Sequence, residues 1–317
     1  MKKIIILILI MVLTSTIYGS EGIKLDLLSI GAGANSIGRG NTYIGNSAVS
    51  VYYAPGALSF LKKSDIIYQH SELNLGSTYD YFTTAVGINN GFLNKKNKKH
   101  NKDLFKLGFT FMQIATADIP ITEEGDTLPG TNYPEIIYKG SCSYKATNYA
   151  LTISKKFSNF GVGVTGKYID MILYKYYGRG ISSDIGGYFS NNMISGAITF
   201  KDILSTGISW RNGIDEALVP ELKTILSITF FKRKGWFSDG IGIGLGIDKF
   251  LKKGNNFGYH AGIEWNVAGI VPLRFGYDDG DIAFGIGFKS KHLYLDYAYS
   301  AREEIRGEHN ISLGWKW

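Results

Sequence analysis

The apolar residues in the C-terminal half of this chain recur at every second position. In 281–289, Ile or Phe stands at each even-numbered position, with small or charged residues between them. The same alternation runs through 240–248, 258–266 and 292–300. Successive side chains of a β-strand point to opposite faces, so the pattern predicts strands with one apolar face and one small or polar face.

A soluble β-sandwich shows the same alternation, so further features must separate the two folds. The apolar faces carry large aromatic residues near strand ends, as in the interfacial girdles of membrane barrels. These residues are Trp265, Tyr297, Tyr299, Trp315 and Trp317. The opposite faces combine charge with glycine, and 40 of the 317 residues are glycine. Glycine weakens a strand that faces bulk water, whereas inside a barrel it leaves room for a plug or a channel. We therefore expect an all-β fold, a transmembrane antiparallel β-barrel.

The strand count follows from the segments that alternate after residue 60. They are 64–73, 79–89, 104–113, 145–156, 160–171, 182–189, 193–201, 222–232, 240–249, 256–265, 270–278, 281–289, 292–300 and 307–317, a total of 14. A further short candidate, 204–211, runs into the turn sequence Arg211-Asn212-Gly213. Because bacterial single-chain barrels have even strand numbers, we leave it in a loop.

Loop lengths support this choice, since barrels have short periplasmic turns and long outer loops. With the first strand running outward, the outer connections are 114–144, 172–181, 202–221 and 301–306. The short periplasmic turns are 157–159, 190–192 and 290–291. The Lys-rich connection 90–103 is long yet falls on the periplasmic side, and its lysines predict a solvated loop.

The N-terminus predicts export. Lys2 and Lys3 precede an apolar run, Ile4–Leu13, and the small residues Gly19 and Ser20 follow it. This is the pattern of a secretory signal peptide. The run is half the length of a spanning helix, which needs about 20 residues. We predict a signal peptide at 1–19, an N-terminal plug or hatch at 20–60, a barrel at 61–317, and a place in the bacterial outer membrane.

The predicted plug lacks alternation. Residues 29–60 are glycine-rich and carry Arg39 as their one charged residue, which suits close packing of backbone in a confined space. A flexible linker is the alternative, but the segment contains apolar residues such as Ile37, Ile44 and Leu58. A compact plug inside the barrel fits this composition better.

Two stretches of the plug and several in the last strands resemble a known family. The plug residues are Ala34 to Tyr43, with Gly38 and Gly40, and Ala48 to Leu58, with Ala54, Pro55 and Gly56. The C-terminal residues are His260-x-Gly262-x-Glu264, Leu273-Arg274-x-Gly276-Tyr277, Asp296-Tyr297-Ala298 and His309-x-Ile311-Ser312-Leu313. Together they resemble PorV/PorQ-type proteins, within the wider FadL-like outer-membrane barrels. The chain departs from that family's Asn-Pro-Ala-Gly pattern, because Ala54 replaces Asn and Gly56-Ala57 inverts Ala-Gly.

Charged residues on the predicted inner faces form the main candidate site. They are Lys167, His260, Glu264, Arg274, Asp278, Asp281, Asp296 and Lys316. An internal ion-pair network that holds the plug would explain them. A polar lining for a solute path would also explain them, and the residues alone leave both open.

The sequence gives little support for a nucleotide-binding, metal or catalytic site. Gly31-Ala32-Gly33 has Ser36 where a dinucleotide-binding motif needs its third Gly. The five histidines are not spaced as metal ligands and Cys142 is alone, so we predict neither a metal nor a disulfide. No nucleophile-elbow pattern marks a serine. We expect no enzyme, no cofactor and no nucleic-acid partner.

Two functions remain after these exclusions. The FadL-like resemblance implies transport of hydrophobic or amphipathic small molecules. The PorV resemblance implies a non-transporting secretion or assembly accessory with a protein partner at 114–144, which carries five acidic residues, or at 202–221. In either case Leu313, Trp315 and the terminal Trp317 predict a last strand that the barrel assembly machinery recognises, and outer-membrane lipid surrounds the wall.

Overall fold

The computed structural model describes residues 26–89, 103–127, 133–230, 240–252, 257–301 and 307–317. The predicted signal peptide and nearly all of the Lys-rich 90–103 connection lie outside these ranges. Within them, no helix is both long and apolar enough to span a bilayer.

Across the described residues, sixteen strands make up one antiparallel sheet. They are β1 (Asp65–Glu72), β2 (Ser77–Asn89), β3 (Asp103–Thr127), β4 (Pro134–Phe157), β5 (Phe160–Leu173), β6 (Tyr176–Ser190), β7 (Ile194–Lys201), β8 (Ile208–Trp210), β9 (Asp215–Glu216), β10 (Glu221–Phe230), β11 (Ile241–Phe250), β12 (Phe257–Val267), β13 (Val271–Asp278), β14 (Asp281–Lys289), β15 (Leu293–Ala301) and β16 (Glu308–Lys316). β7 pairs with β10, and β1 pairs with β16. The 14 strands other than β8 and β9 therefore close into a barrel, and the predicted fold and strand count are confirmed.

Burial alternates along the strands as the sequence predicts. On β16, Ile311, Leu313 and Trp315 are exposed on the outer face, while Asn310 and Ser312 are buried on the inner face. The other strands contribute Ile, Leu, Phe and Tyr to the same outer surface. A continuous apolar surface around a closed barrel needs a lipid environment. The protein therefore lies in the bacterial outer membrane.

The segment between β7 and β10 does not cross the wall. Its backbone follows the outer part of β6, where Ile203 N donates to Ser183 O and Thr206 N donates to Ile181 O. β8 then pairs with β6, and β9 folds back on β8. The prediction that 204–211 adds no spanning strand is confirmed, although Ile208–Trp210 within it is a short strand rather than part of a loop.

The prediction of a loop at 114–144 is wrong. β3 and β4 stay paired far beyond their neighbours, because β2 contacts β3 only as far as Thr116 and β5 contacts β4 only from Tyr144 onward. Residues 117–127 and 134–143 thus form a free two-stranded extension, which we call the ribbon. Three register shifts interrupt its pairing, so the alternation that marks a strand is lost in the sequence. The predicted loop 172–181 is likewise strand except for a tight turn, since β5 ends at Leu173 and β6 begins at Tyr176.

Residues 26–61, the N-terminal segment, form short helices rather than strands. They include a 3-10 helix Asp26–Leu28, α1 (Ala34–Ile37), α2 (Ser50–Tyr53) and a 3-10 helix Pro55–Phe60. Almost all of the segment is buried. It contacts inward-facing residues on opposite sides of the barrel, with α1 against β14, β15 and β16 and Pro55–Phe60 against β4, β5 and β6.

Candidate functional site in the barrel lumen

Inward-facing glycines let the N-terminal segment touch the wall backbone to backbone. At the first contact, Gly38 to Gly40 lie against Gly262, Gly276 and Gly285 on β12, β13 and β14. A Cβ on Gly276 would overlap the backbone nitrogen of Gly40, and one on Gly262 would overlap the carbonyl oxygen of Arg39. Gly40 also has a φ of +57°, a conformation that glycine adopts at low cost. We call this contact the first glycine seam.

A second glycine seam lies across the lumen. Pro55 and Gly56 pack on Gly161 and Gly163 of β5 and on Gly186 of β6. A Cβ on Gly56 would lie 2.7 Å from the carbonyl oxygen of Gly161 and 2.8 Å from that of Gly186. The N-terminal segment therefore packs against the glycines of the inner face. Ala54, which is fully buried, ends α2 in an extended conformation just before this seam.

Hydrogen bonds from wall side chains hold the segment between the seams. Gln69 accepts from Gly33 N at 2.5 Å, and Asp65 accepts from Ala48 N at 2.8 Å. On β7, Thr199 donates to the Tyr53 carbonyl at 3.0 Å and Lys201 donates to the Leu28 carbonyl at 3.2 Å. Buried backbone groups that would otherwise lack partners are satisfied in this way.

Two tyrosines of α2 tie the segment to itself. The Tyr53 hydroxyl accepts from Ala32 N at 2.8 Å and donates to Asn41 Oδ1 at 2.6 Å. The Tyr52 hydroxyl donates to the Leu28 carbonyl at 2.7 Å. Burial raises the pKa of both phenols well above the usual value, so they stay protonated and remain donors.

A belt of alternating charges crosses the inner wall over seven neighbouring strands, from β5 to β13. Lys167 pairs with Asp184 at 2.7 Å and Asp202 at 2.6 Å. Lys201 pairs with Glu221 at 3.5 Å, and Lys223 pairs with Asp248 at 3.2 Å. His260 lies between Asp248 (2.9 Å) and Asp278 (2.5 Å). We call these residues the outer charge belt, since they lie toward the end of the barrel that carries the ribbon.

The belt reaches the N-terminal segment through an amide. Asn41 Nδ2 donates to Asp278 Oδ2 at 2.5 Å, and Asn41 also accepts from Tyr53. The belt therefore meets the segment at two places, here and at Lys201, whose ammonium also lies 4.5 Å from the centre of the Tyr52 ring.

A second charge cluster lies deeper, on β12 to β15. Arg274 is fully buried and contacts Glu264 and Asp296, both at 2.7 Å. Lys289 lies 3.4 Å from Glu264. Arg39 of the first glycine seam is buried beside this cluster, with its guanidinium 5.4 Å from the Tyr43 ring. Burial lowers the pKa of Arg39, and the nearby Glu264 partly offsets that effect.

The other predicted charges lie at the barrel ends. Lys316 donates to the Asn46 carbonyl at 2.8 Å and lies 3.9 Å from Asp65. Asp281 is half-buried in the β13–β14 hairpin, opposite Asp278. The structure therefore brings His260 and Asp278 into the outer belt with Lys167, groups Glu264, Arg274 and Asp296, and leaves Lys316 apart.

Sequence reasoning missed several members of the belt: Asp184, Lys201, Asp202, Glu221, Lys223 and Asp248. The signal was available for those within strands, because the period of two on β6, β7, β10 and β11 also places them on the inner face. Asp202 follows β7 and has no such signal.

A small cavity lies between the N-terminal segment and the wall. Its volume is about 20 Å³, room for about one water molecule. Leu28, Val51 and Tyr52 line it from the segment, and β3 to β7 line it from the wall, with Met112 and Lys167 among them. It therefore combines an apolar surface with the edge of the outer charge belt.

The predicted assembly residues lie on the outer face. Leu313, Trp315 and Trp317 are exposed at the C-terminal end, and the His292 ring stacks on Trp315 at 5.6 Å. Among the described residues, no group of three or more His, Cys, Asp or Glu is arranged to hold a metal ion.

Comparison with known proteins finds the same fold in solved outer-membrane structures. The toluene transporter TodX of P. putida matches with a TM-score of 0.61 and 10% identity, over 92% of this chain and 99% of that chain. The toluene transporter TbuX of Ralstonia pickettii matches with a TM-score of 0.53 and 11% identity, over 92% and 98%. No protein-family model matches the chain, and no curated protein matches its sequence. At these identities the likeness shows a shared barrel fold.

Proposed function

We propose that this protein transports small apolar or amphipathic molecules across the outer membrane, with residues 26–61 as a plug that must shift for passage. The observation that carries the proposal is the position of the N-terminal segment inside the barrel. It contacts opposite inner walls through two glycine seams, and a cavity remains between it and β3 to β7. A barrel of 14 strands filled in this way has no wide static channel.

The fold supports the same proposal. TodX and TbuX, whose barrels this chain resembles, are toluene transporters. From that likeness we expect this protein to carry an apolar molecule of about the size of toluene. The two contacts between the outer charge belt and the segment, at Asn41 and Lys201, are where we expect the plug to be released.

A reversible cross-link tests the proposal. Val51 of α2 packs on β3 at Gly108, where a Cβ would lie 3.1 Å from Val51 Cγ2. In a disulfide, the far sulfur lies about 3 Å from the opposite Cβ, so Val51→Cys with Gly108→Cys forms a bond with little rearrangement. With Cys142 replaced by Ser, uptake of labelled toluene by intact cells should fall when the pair is oxidised and recover when it is reduced.

A matched pair on the wall serves as the control. Ser77 and Thr116 face each other on β2 and β3, with their hydroxyls 2.7 Å apart, and neither lines the cavity. A disulfide between Ser77→Cys and Thr116→Cys joins wall to wall and should leave uptake unchanged. Full uptake through the oxidised Val51–Gly108 pair would overturn the requirement for plug movement.

The ribbon favours a second candidate function. It has two unpaired edges, and Ile136 and Tyr138 are 72% and 65% exposed on it. Its acidic residues are Asp118, Glu123, Glu124, Asp126 and Glu135, against the basic Lys139. Free strand edges and exposed apolar residues can pair with another chain. A PorV/PorQ-type accessory that binds exported proteins would use such a surface.

Deletion of the ribbon separates the two functions. Joining Thr116 to Ser143 by a short turn keeps the hydrogen bond from Tyr174 N to Ser143 O and removes only residues that pair with no strand outside the ribbon. A transporter should keep toluene uptake after this deletion. An accessory barrel should lose a co-purifying protein partner and show no uptake in either form.

A further inference from the structure

A buried amide on the inner wall has no protein partner. Asn148 of β4 has 0% of its surface exposed, yet neither its Oδ1 nor its Nδ2 forms a hydrogen bond with any residue that the structure describes. An unpaired buried amide costs about 1–3 kcal/mol per polar group. Native structures keep such groups only where water, a ligand or a functional demand explains them.

Asn148 lies beside the cavity. It pairs in register with Met112 of β3, and Ala150 is the next residue of β4 on the inner face. Met112 and Ala150 both line the cavity, on which Tyr52 closes from the segment. Tyr79 of β2 is also fully buried, and its hydroxyl bonds to no described residue. Tyr79 pairs in register with Ile114, which is two residues from Met112 on the inner face of β3. The unpaired Asn148 amide is therefore next to the apolar lining of the cavity, and the unpaired Tyr79 hydroxyl lies on the other side of β3.

The outer charge belt decides which head group suits the site. It holds three lysines, Lys167, Lys201 and Lys223, against five carboxylates, Asp184, Asp202, Glu221, Asp248 and Asp278. Even a charged His260 leaves one carboxylate in excess. The two lysines nearest the cavity, Lys167 and Lys201, are already paired. An anionic head would meet no free cation among these residues and would be repelled by the excess carboxylate.

We infer that Asn148 and Tyr79 form a subsite for a neutral amphiphile, a small molecule with an apolar body and one uncharged hydrogen-bonding group such as a hydroxyl or an amide. The inference rests on the proposed function, since the cavity holds about one water when the segment is seated and must widen to admit a ligand. The Asn148 amide offers both a donor and an acceptor to such a group.

Three probes that share one aromatic ring test the inference: toluene, benzyl alcohol and benzoate. Binding is measured by calorimetry on the full chain in amphipol, which keeps detergent out of the lumen. The wild type should bind benzyl alcohol more tightly than toluene and at least about tenfold more tightly than benzoate. Asn148→Leu should weaken benzyl alcohol binding by about tenfold, the effect of one lost hydrogen bond, and leave toluene binding within about twofold.

Ser154→Ala is the control on the same strand. Ser154 is also buried with an unpaired hydroxyl, but its register partner on β3 is Lys106, which does not line the cavity, whereas Met112, the register partner of Asn148, does. This change should therefore alter no probe's affinity. If Asn148→Leu does not assemble, Asn148→Ala repeats the test without adding volume.

The outcomes separate the inference from the proposed function. Toluene binding with no loss of benzyl alcohol affinity in Asn148→Leu would mean that a bound water satisfies the amide, and the inference would be wrong. Benzoate as the tightest ligand would refute the charge argument. Failure of all three probes to bind, together with no uptake by cells, would overturn the proposed function and the inference with it.

Discussion

Replacing Gly276 by Ala should break the first glycine seam. The new methyl would overlap the backbone nitrogen of Gly40 and lie 2.9 Å from its Cα. Overpacking costs about 1–3 kcal/mol when side chains can adjust. Here the colliding atoms are backbone on both sides and cannot rotate away, so we expect about 3 kcal/mol. For a chain of this size that corresponds to a midpoint lower by about 6 °C.

Gly166 provides the matched control. It lies on β5, faces outward, and has no atom within 4 Å of a Cβ placed on it. Gly166→Ala should be neutral or stabilise by up to about 1 kcal/mol, because alanine loses less backbone entropy on folding. Each variant adds one methyl group to the wild type, so the difference in stability between the two variants isolates the contact with the N-terminal segment.

The assay is the temperature at which the folded barrel changes mobility on a semi-native gel, combined with limited proteolysis of the segment. Gly276→Ala should melt earlier than the wild type or gain cleavage sites between residues 26 and 61 as the segment is displaced. Gly166→Ala should do neither. If Gly276→Ala matches Gly166→Ala in both readouts, the segment does not lie where the seam requires it.

Three further predictions follow from contacts on the inner and outer faces. Arg274→Met removes the cation that Glu264 and Asp296 share, which leaves Glu264 with Lys289 and Asp296 without its ion-pair partner, and should cost about 3–5 kcal/mol in urea unfolding from lipid vesicles. The same change at Lys139, in an exposed pair with Glu123, should cost at most about 1 kcal/mol, and equal costs would contradict the account. Thr199→Val removes the hydrogen bond to the Tyr53 carbonyl at nearly constant volume and should cost about 1 kcal/mol in the same unfolding measurement, while no loss would show that the bond is replaced by water. Deleting Trp317 should lower the yield of folded barrel in outer membranes, measured by its heat-dependent gel mobility, if the last strand is the assembly signal; an unchanged yield would rule that out.

The barrel wall was predictable because it depends on a local signal. Alternation on a single strand indicates which face contacts lipid. On β16, for example, Ile311, Leu313 and Trp315 alternate with Asn310 and Ser312. Each strand carries this information independently of its neighbours. The strand count and closure follow once the alternating segments are counted.

The lumen was less predictable because it depends on pairs far apart in the sequence. The contact between Gly40 and Gly276 joins residues from the two ends of the chain, and neither glycine indicates its partner. The same holds for Asn41 and Asp278. Sequence alone assigns inward charges to a face, but only the register of neighbouring strands pairs Lys201 with Glu221.

The ribbon was missed for a different reason. Its strands bury neither face, so hydrophobic alternation has no cause there. The bulges near Asp118, at a φ of +53°, and near Gly140 shift the register further. A two-stranded extension of this kind is recognised from its backbone pairing and not from composition.

The conductance of single barrels in a planar bilayer tests the central claim, that residues 26–61 occlude the lumen, most directly. The account predicts no steady open channel for the full chain, and a stable ion conductance for a variant that lacks 26–61. A steady conductance of the full chain equal to that of the deletion variant would contradict the claim, because the segment would then leave an open path through the barrel.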